Sequence, residues 1–154
     1  MNGEIVMRIS AKSRYALAAI TYMAIQDNSK ECVTVISISE QLGISKIYLE
    51  QVFSLLKRAK LVVSIKGAQG GYRLAKPAIK TTIGEVLHAV EQSLFEPAGP
   101  AVGKEAGHIE KALNALVWKP LDKAIVETAA SIPLSAVANE AEKLKAENNL
   151  MYYI

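Results

Sequence analysis

The chain holds one cysteine, two histidines and two phenylalanines in 154 residues. A single thiol, Cys32, excludes an intrachain disulfide framework and a cluster held by several thiolates of one chain. A lone thiol fits a reducing cytosol, so a cytoplasmic location is expected. With only His88 and His108, no Ser-His-Asp or Cys-His constellation can be proposed, and enzyme activity is not expected. His88 lies one helical turn from both Glu85 and Glu91, but the second imidazole that a metal site would want is missing. Long apolar runs are also absent. The longest, residues 15–25, is interrupted by Thr21 and is too short to span a bilayer. The N-terminus carries Glu4 and has no basic cluster ahead of an apolar run, so neither a signal segment nor a membrane partner is expected. Met7-Arg8-Ile9-Ser10 can itself serve as a start, which would make residues 1–6 an extension.

Charge is unevenly distributed. Residues 1–80 hold twelve Lys/Arg against five acids, a net +7, whereas the remainder carries −4. A basic front half joined to an acidic back half suggests a polyanion-binding module attached to something that avoids the polyanion. About half the residues are apolar and aromatics are few, so a mainly helical, alanine-rich core is expected.

Residues 13–28 read as an amphipathic helix, with Tyr15, Ala18, Ala19, Tyr22 and Met23 at helical spacing and Asp27-Asn28-Ser29 as its stop. Ser37-Ile38-Ser39-Glu40 has the capping-box pattern and opens a short helix ending at Gly43. Ser45 then caps a second helix running to about residue 60. Two helices separated by about three residues that include a glycine mark a helix-turn-helix. Leu49, Val52, Phe53 and Leu56 form the inward stripe of the second helix, while Lys46, Ile47, Glu50, Gln51 and Ser54 lie opposite, with Tyr48 on the flank. Ile47 stands where a solvated polar residue would be expected; it either meets a thymine methyl or is an uninvolved surface residue.

Leu61-Val62-Val63-Ser64-Ile65-Lys66, the turn Gly67-Ala68-Gln69-Gly70-Gly71 and Tyr72-Arg73-Leu74 read as a β-hairpin with Lys66 and Arg73 flanking its tip. No Gly-Lys-Ser/Thr follows and no helix begins at Gly71, so this is not a nucleotide-binding loop. A hairpin directly after a helix-turn-helix is a wing. Pro77 ends the module, and Thr82-Ile83-Gly84-Glu85 is a capping box opening a helix to about residue 93. Residues 95–107 form a loop rich in Pro and Gly. From about Glu105 an apolar stripe (Ile109, Leu113, Leu116, Val117, Leu121, Ala124, Ile125, Thr128) describes a helix that Pro120 should kink or break. A helix of about 25 residues is roughly 37 Å long, too long for so small a domain to cover. Burial against a second copy, a homodimer, is the simplest expectation. A last helix over about 135–148 precedes the apolar end Leu150-Met151-Tyr152-Tyr153-Ile154, which is either docked on the body or frayed.

The expected fold is therefore mainly α with a small β-hairpin wing: a winged helix-turn-helix over 7–80, a linker helix, loop and dimerisation helix over 81–131, and a C-terminal helix and tail over 132–154. The segments 7–16, Gly43-Ile44-Ser45, Tyr48-Leu49-Glu50-Gln51, Gly67-Ala68-Gln69-Gly70-Gly71-Tyr72, Ile83-Gly84-Glu85-Val86 and Leu116-Val117-Trp118 together resemble the Rrf-two family of bacterial transcription regulators, and its iron–sulfur-responsive type in particular. The resemblance covers about residues 7–130. It implies a homodimer crossed by a long helix, each winged helix reading half of a dyad operator in double-stranded DNA. Onto matching positions it carries Ser45, Tyr48, Glu50 and Gln51 of the recognition helix, and Lys66 with Gly67 in the wing. The chemistry agrees. The Gln51 amide can pair bidentately with adenine, and Glu50 can accept from a cytosine amino group. Ser45, Lys46 and Tyr48 lie near a helix N-terminus, where phosphate is favoured, and Arg73 adds charge beside the hairpin tip.

The departure from the family lies in its cofactor. The resemblance implies three cysteines and a nearby fourth ligand holding a [2Fe–2S] cluster between the fourth helix and the tryptophan element. Aligned on Trp118, the third falls at Ala112, the second at Ala106, the fourth ligand at Ala115, and the first in the loop around Ala98–Ala101. Either the chain belongs to a cluster-free branch, like regulators of cysteine metabolism that act with a docked metabolic enzyme, or alanines replace the ligands of a form that carries the cysteines and the cluster. No cofactor is expected in the chain as it stands. Cys32 sits beside Lys30 and Glu31, and a neighbouring acid does not favour a redox switch there.

Overall fold

A computed structural model describes residues 9–27 and 31–153. The alternative start at Met7 and the stop signal at Asn28-Ser29 lie outside those residues.

Helix α1 (Ala11–Gln26) starts two residues before the sequence pattern suggested, because the Ser10 hydroxyl accepts from the Ser13 N–H and serves as N-cap. It buries Ser13, Ala16, Ala19, Ile20 and Met23. Ala18, assigned to the inward stripe from its spacing, is exposed, and with Leu17, Thr21 and Tyr22 it borders a shallow apolar groove.

Helix α2 (Val35–Leu42) also begins earlier than predicted. Thr34, not Ser37, is the N-cap: its hydroxyl accepts from the Ser37 N–H at 3.0 Å, and the Ser37 hydroxyl donates back to the Thr34 carbonyl at 2.9 Å. Gly43 then ends α2 in the left-handed region (φ 65°), a conformation costly for any residue with a Cβ, and turns the chain into α3 (Lys46–Arg58). The predicted stripe of Leu49, Val52, Phe53 and Leu56 is buried on α3.

Strands β1 (Val62–Ile65) and β2 (Gly71–Leu74) pair antiparallel, Val62 opposite Leu74 and Ile65 opposite Gly71. Val33 extends this hairpin on its far edge. Its N–H donates to the Tyr72 carbonyl at 2.9 Å, and the Tyr72 N–H returns a bond to Val33 at 2.8 Å. Gly71 makes this approach feasible, since a Cβ there would sit 2.7 Å from the Val33 carbonyl oxygen. The Tyr72 ring packs on buried Phe53 at 4.6 Å between centroids, which fixes the hairpin to α3.

Helix α4 (Ile83–Val90) opens with the predicted capping box, complete on both sides: Thr82 accepts from the Glu85 N–H, and the Glu85 carboxylate accepts from the Thr82 N–H. The helix buries Val86, Leu87, Ala89 and Val90, and stops three residues short of the predicted end, a 3₁₀ turn (Gln92–Leu94) following it.

At Pro120 the sequence predicts a kink or a break in the long helix. The helix does not break there. Helix α5 (Gly107–Leu113) runs through a π-helical turn (Asn114–Trp118) into α6 (Lys119–Ser131), and the Lys119 N–H reaches back five residues to the Asn114 carbonyl. Widening the turn just before Pro120 relieves the register in which its ring would strike the carbonyl four residues earlier. Helix α7 (Leu134–Met151) runs three residues past the predicted end and packs on α1 through buried Leu134 and Ala138. Leu150, Met151, Tyr152 and Tyr153 are exposed, so the apolar end does not dock on the body of its own chain. The core lies between α1, α2, α3, β1 and α4, closed by Leu134.

Candidate nucleic-acid interface

The face of α3 turned away from the core carries Lys46, Ile47, Glu50, Gln51 and Ser54, all exposed. Ile47 is 69 % exposed, a large apolar residue kept in water at no benefit to the folded monomer. Ser45 is the α3 N-cap by position, yet its side chain makes no capping bond, which leaves the hydroxyl free for an external acceptor. Lys46 and Glu50 form an i,i+4 ion pair at 3.7 Å. Tyr48 stands half-exposed at the flank and is braced edge-on by Tyr15 of α1 at 5.5 Å, a support that sequence spacing did not show. Lys57 and Arg58 fall in the last turn, where cations complement the helix dipole.

The second group of predicted residues sits on the wing. Lys66, Gly67 and Arg73 are exposed and border one open cleft of about 700 Å³, together with Glu31, Cys32, Thr34 and Gly70. The turn is closed by the Gly70 N–H donating to the Gly67 carbonyl at 3.0 Å. The α3 residues and the wing residues thus form two clusters, and no α3 side chain borders the wing cleft. Thr34 was missed as a neighbour of the wing; a hydroxyl three residues ahead of Ser37 was its only signal in the sequence. Cys32 lies against Gly71 near the turn end of the hairpin, far in sequence from the loop where thiols would be wanted.

Beyond the shared core, two polar contacts join this module to α4. The Lys76 ammonium donates to the Glu85 carboxylate at 2.6 Å, linking the exit of β2 to the start of that helix. Burial raises the Glu85 pKa, but bonds from Lys76 and the Thr82 N–H outweigh it and leave the carboxyl below its ordinary value. At the other end of α4, Glu91 accepts from the hydroxyls of Ser10 and Ser13. Those hydroxyls, foremost that of Ser10, hold the Glu91 pKa down.

The five alanines that the sequence resemblance aligns with cluster ligands do not fit an iron–sulfur cluster. Ala98 and Ala101 lie in an irregular loop, Ala106 ends a 3₁₀ turn, Ala112 is on α5 and Ala115 on the π-helical turn. None has a donor side chain, and in that loop the Ala101 N–H is bound to the Glu110 carboxylate at 3.2 Å. Among the described residues no group of three or more His, Cys, Asp or Glu is placed to hold a metal ion.

A glycine-turned helix pair followed by a hairpin anchored to the second helix defines a winged helix-turn-helix protein. The chain belongs to the Rrf2 family, iron-dependent transcriptional regulators, whose model matches residues 9–140. It is 36 % identical over 138 residues to the HTH-type transcriptional regulator IscR of Cronobacter sakazakii, covering 90 % of this chain and 84 % of that one. It is 37 % identical over 139 residues to IscR of Erwinia tasmaniensis, covering 90 % and 82 %. Among solved structures it is similar to T. potens IscR (TM-score 0.72, 30 % identity, covering 92 % of this chain and 93 % of that one). It is also similar to CymR, the global cysteine regulator of B. subtilis (TM-score 0.71, 27 % identity, covering 88 % and 98 %). The family is one of transcription regulators and not of enzymes. No helix among the described residues is long and apolar enough to cross a membrane.

Proposed function

We propose that this chain is a homodimeric repressor or dual regulator that reads a dyad operator, acts in the cytoplasm, and controls iron–sulfur cluster biogenesis or a related sulfur pathway in a cluster-free form. Its working units are a DNA-binding module over 7–80, a linker and dimerisation element over 81–131, and a C-terminal helix over 132–154. Ser45, Lys46 and Tyr48 are assigned to phosphates at the edge of the major groove, and Ile47, Glu50 and Gln51 to base edges. Lys66, Gly67 and Arg73 are assigned to the backbone beside the wing. The observation that carries this reading is the α3 face. It exposes an isoleucine, a glutamine and an uncommitted Ser45 hydroxyl that the fold itself does not need.

Selection of duplexes from a random pool, followed by gel-shift titration at several salt concentrations, tests it. A dyad operator should emerge, with affinity falling steeply as salt rises because Lys and Arg displace counterions. Equal affinity for every duplex at every salt concentration would sink the reading.

A second reading is that the chain is a cysteine-metabolism regulator acting through a docked metabolic enzyme. It draws on the likeness to CymR and on the exposed apolar end, Leu150 to Tyr153. Co-purification from cell extract of one enzyme, lost when residues 150–154 are removed, would favour it over the first.

A further inference from the structure

We infer that Lys46 is a specificity-determining residue, which sets the base preference of Glu50 by pairing with it on the exposed face of α3. The inference rests on the proposed operator reading, in which that face meets base edges.

A carboxylate is acceptor-only. Alone in the major groove, Glu50 would favour the amino group of cytosine and disfavour the acceptor edges of guanine and thymine. The structure does not leave it alone. The Lys46 ammonium lies 3.7 Å from the Glu50 carboxylate, one turn N-terminal to it, and both side chains are about half-exposed (55 % and 56 %). In water such a pair is weak, and the order Lys before Glu is the less favoured one for a helix, so the pair adds little to the fold. Lys46 is also the first residue of α3, where the helix dipole is unfavourable to a cation and the first turn holds no acid. Glu50 is therefore its nearest compensation.

Docking removes water from this face and strengthens the coupling between the two charges. The pair then presents ammonium donors beside the carboxylate acceptor. Bases that would repel a lone carboxylate become tolerable, and the half-site position under Glu50 becomes permissive. This pairing adds to the phosphate contact assigned to Lys46 above; a lysine that held a phosphate and nothing else would, on its loss, weaken every site alike.

The test uses the full chain and the duplex selected by it. Affinities are measured for all four bases at the position whose preference changes in Glu50→Ala. In Lys46→Ala the ratio of cytosine to guanine or thymine affinity should rise about fivefold or more, in line with the discrimination one base contact provides. Lys46→Arg should restore the parent ratio. In the Glu50→Ala background, Lys46→Ala should leave the ratio unchanged. Both side chains are exposed, so thermal midpoints should hold in every variant and separate recognition from folding. A uniform loss across the four bases, the same with or without Glu50, overturns the inference while leaving operator binding intact. A Glu50→Ala protein that alters no position overturns it too. Failure to select any operator with the parent chain removes the underlying reading as well.

Discussion

Glu91, the residue that ends α4, accepts a hydrogen bond from the hydroxyl of Ser13, 78 positions earlier on α1, where Ser13 is fully buried. The same carboxylate takes the Ser10 hydroxyl and the Ser10 N–H, so it sits at the positive end of α1 and opposes its dipole. This ties the first helix of the winged module to the point where the chain leaves for the long helix. Glu91→Ala removes the shared acceptor of the Ser10 and Ser13 hydroxyls, leaves buried Ser13 with the Ser10 hydroxyl at 3.2 Å, and should cost about 1–3 kcal/mol of unfolding free energy. Glu91→Gln, which keeps an acceptor, should cost less. The Glu91 pKa is lowered by folding from its ordinary value near 4.5. Its contribution is therefore fully present above that value and is lost as pH falls through the folded pKa. Denaturant titrations of the parent and Glu91→Gln should converge as pH drops below about 4.5; parallel curves across that window would refute the assignment.

How much of the molecule was legible in the sequence depends on range. Thr82 and Glu85 are three residues apart, so their reciprocal capping could be read in advance, as could the buried stripe from Leu49 to Leu56. Ser37 and Glu40 offered the same pattern and misled. The cap went to Thr34, a choice settled by Val33 pairing with Tyr72, a contact 39 positions long. Pro120 signalled a kink or a break, and the chain met it without a break, by one wide turn immediately before the proline that no local pattern specified. Bracing of Tyr48 by Tyr15 and the Ser13–Glu91 contact are tertiary, and no local spacing signals them.

The wing depends on one close approach. Gly71→Ala would push a methyl to 2.7 Å from the Val33 carbonyl and against Cys32, forcing the Val33–Tyr72 pairing apart. Destabilisation of about 1–3 kcal/mol is expected from overpacking against backbone. Amide exchange should rise at Val33 and Tyr72 first, before the buried α3 amides respond. Uniform exchange changes across the fold would show that Gly71 is not the local pivot.

The two residue clusters of the interface should separate by phenotype. Gln51→Ala removes a base-edge amide and should relax operator choice, with about 1–3 kcal/mol of discrimination lost at one position. Lys66→Ala removes a backbone cation and should weaken all duplexes alike, reducing the salt slope by about one counterion. Gel shifts over a panel of single-base variants measure both. The reverse pattern would mean that the recognition helix and the wing have exchanged roles.

Iron and sulfide offered anaerobically should leave this chain colourless. Cluster retention wants several thiolates in one site, and Cys32, near the turn end of the wing, is the single thiol of the sequence. Operator affinity measured before and after the treatment should be unchanged. A persistent visible chromophore that survives desalting would overturn the cluster-free reading, and its loss in Cys32→Ala would identify a cluster shared between copies.

The long helix supplies the test of assembly. Ile109, Leu116, Trp118 and Leu121 are all exposed on α5, the π-helical turn and α6, and Leu116 is 80 % exposed. Helix α6 packs on α4 with Ala129 buried, while these four side chains are left uncovered by their own chain. An apolar side chain left in water forgoes about 1.5–3 kcal/mol that burial would recover. Several in a row are expected to draw a second copy onto them. Leu116→Glu should therefore convert a dimer to a monomer in sedimentation equilibrium, while the fold of the monomer, which does not use that side chain, keeps its helical signal. Operator affinity should fall further than half-site affinity, because only a linked pair of wings gains from occupying both halves. A parent chain that sediments as a monomer, or a variant that remains dimeric, would place the subunit contact elsewhere.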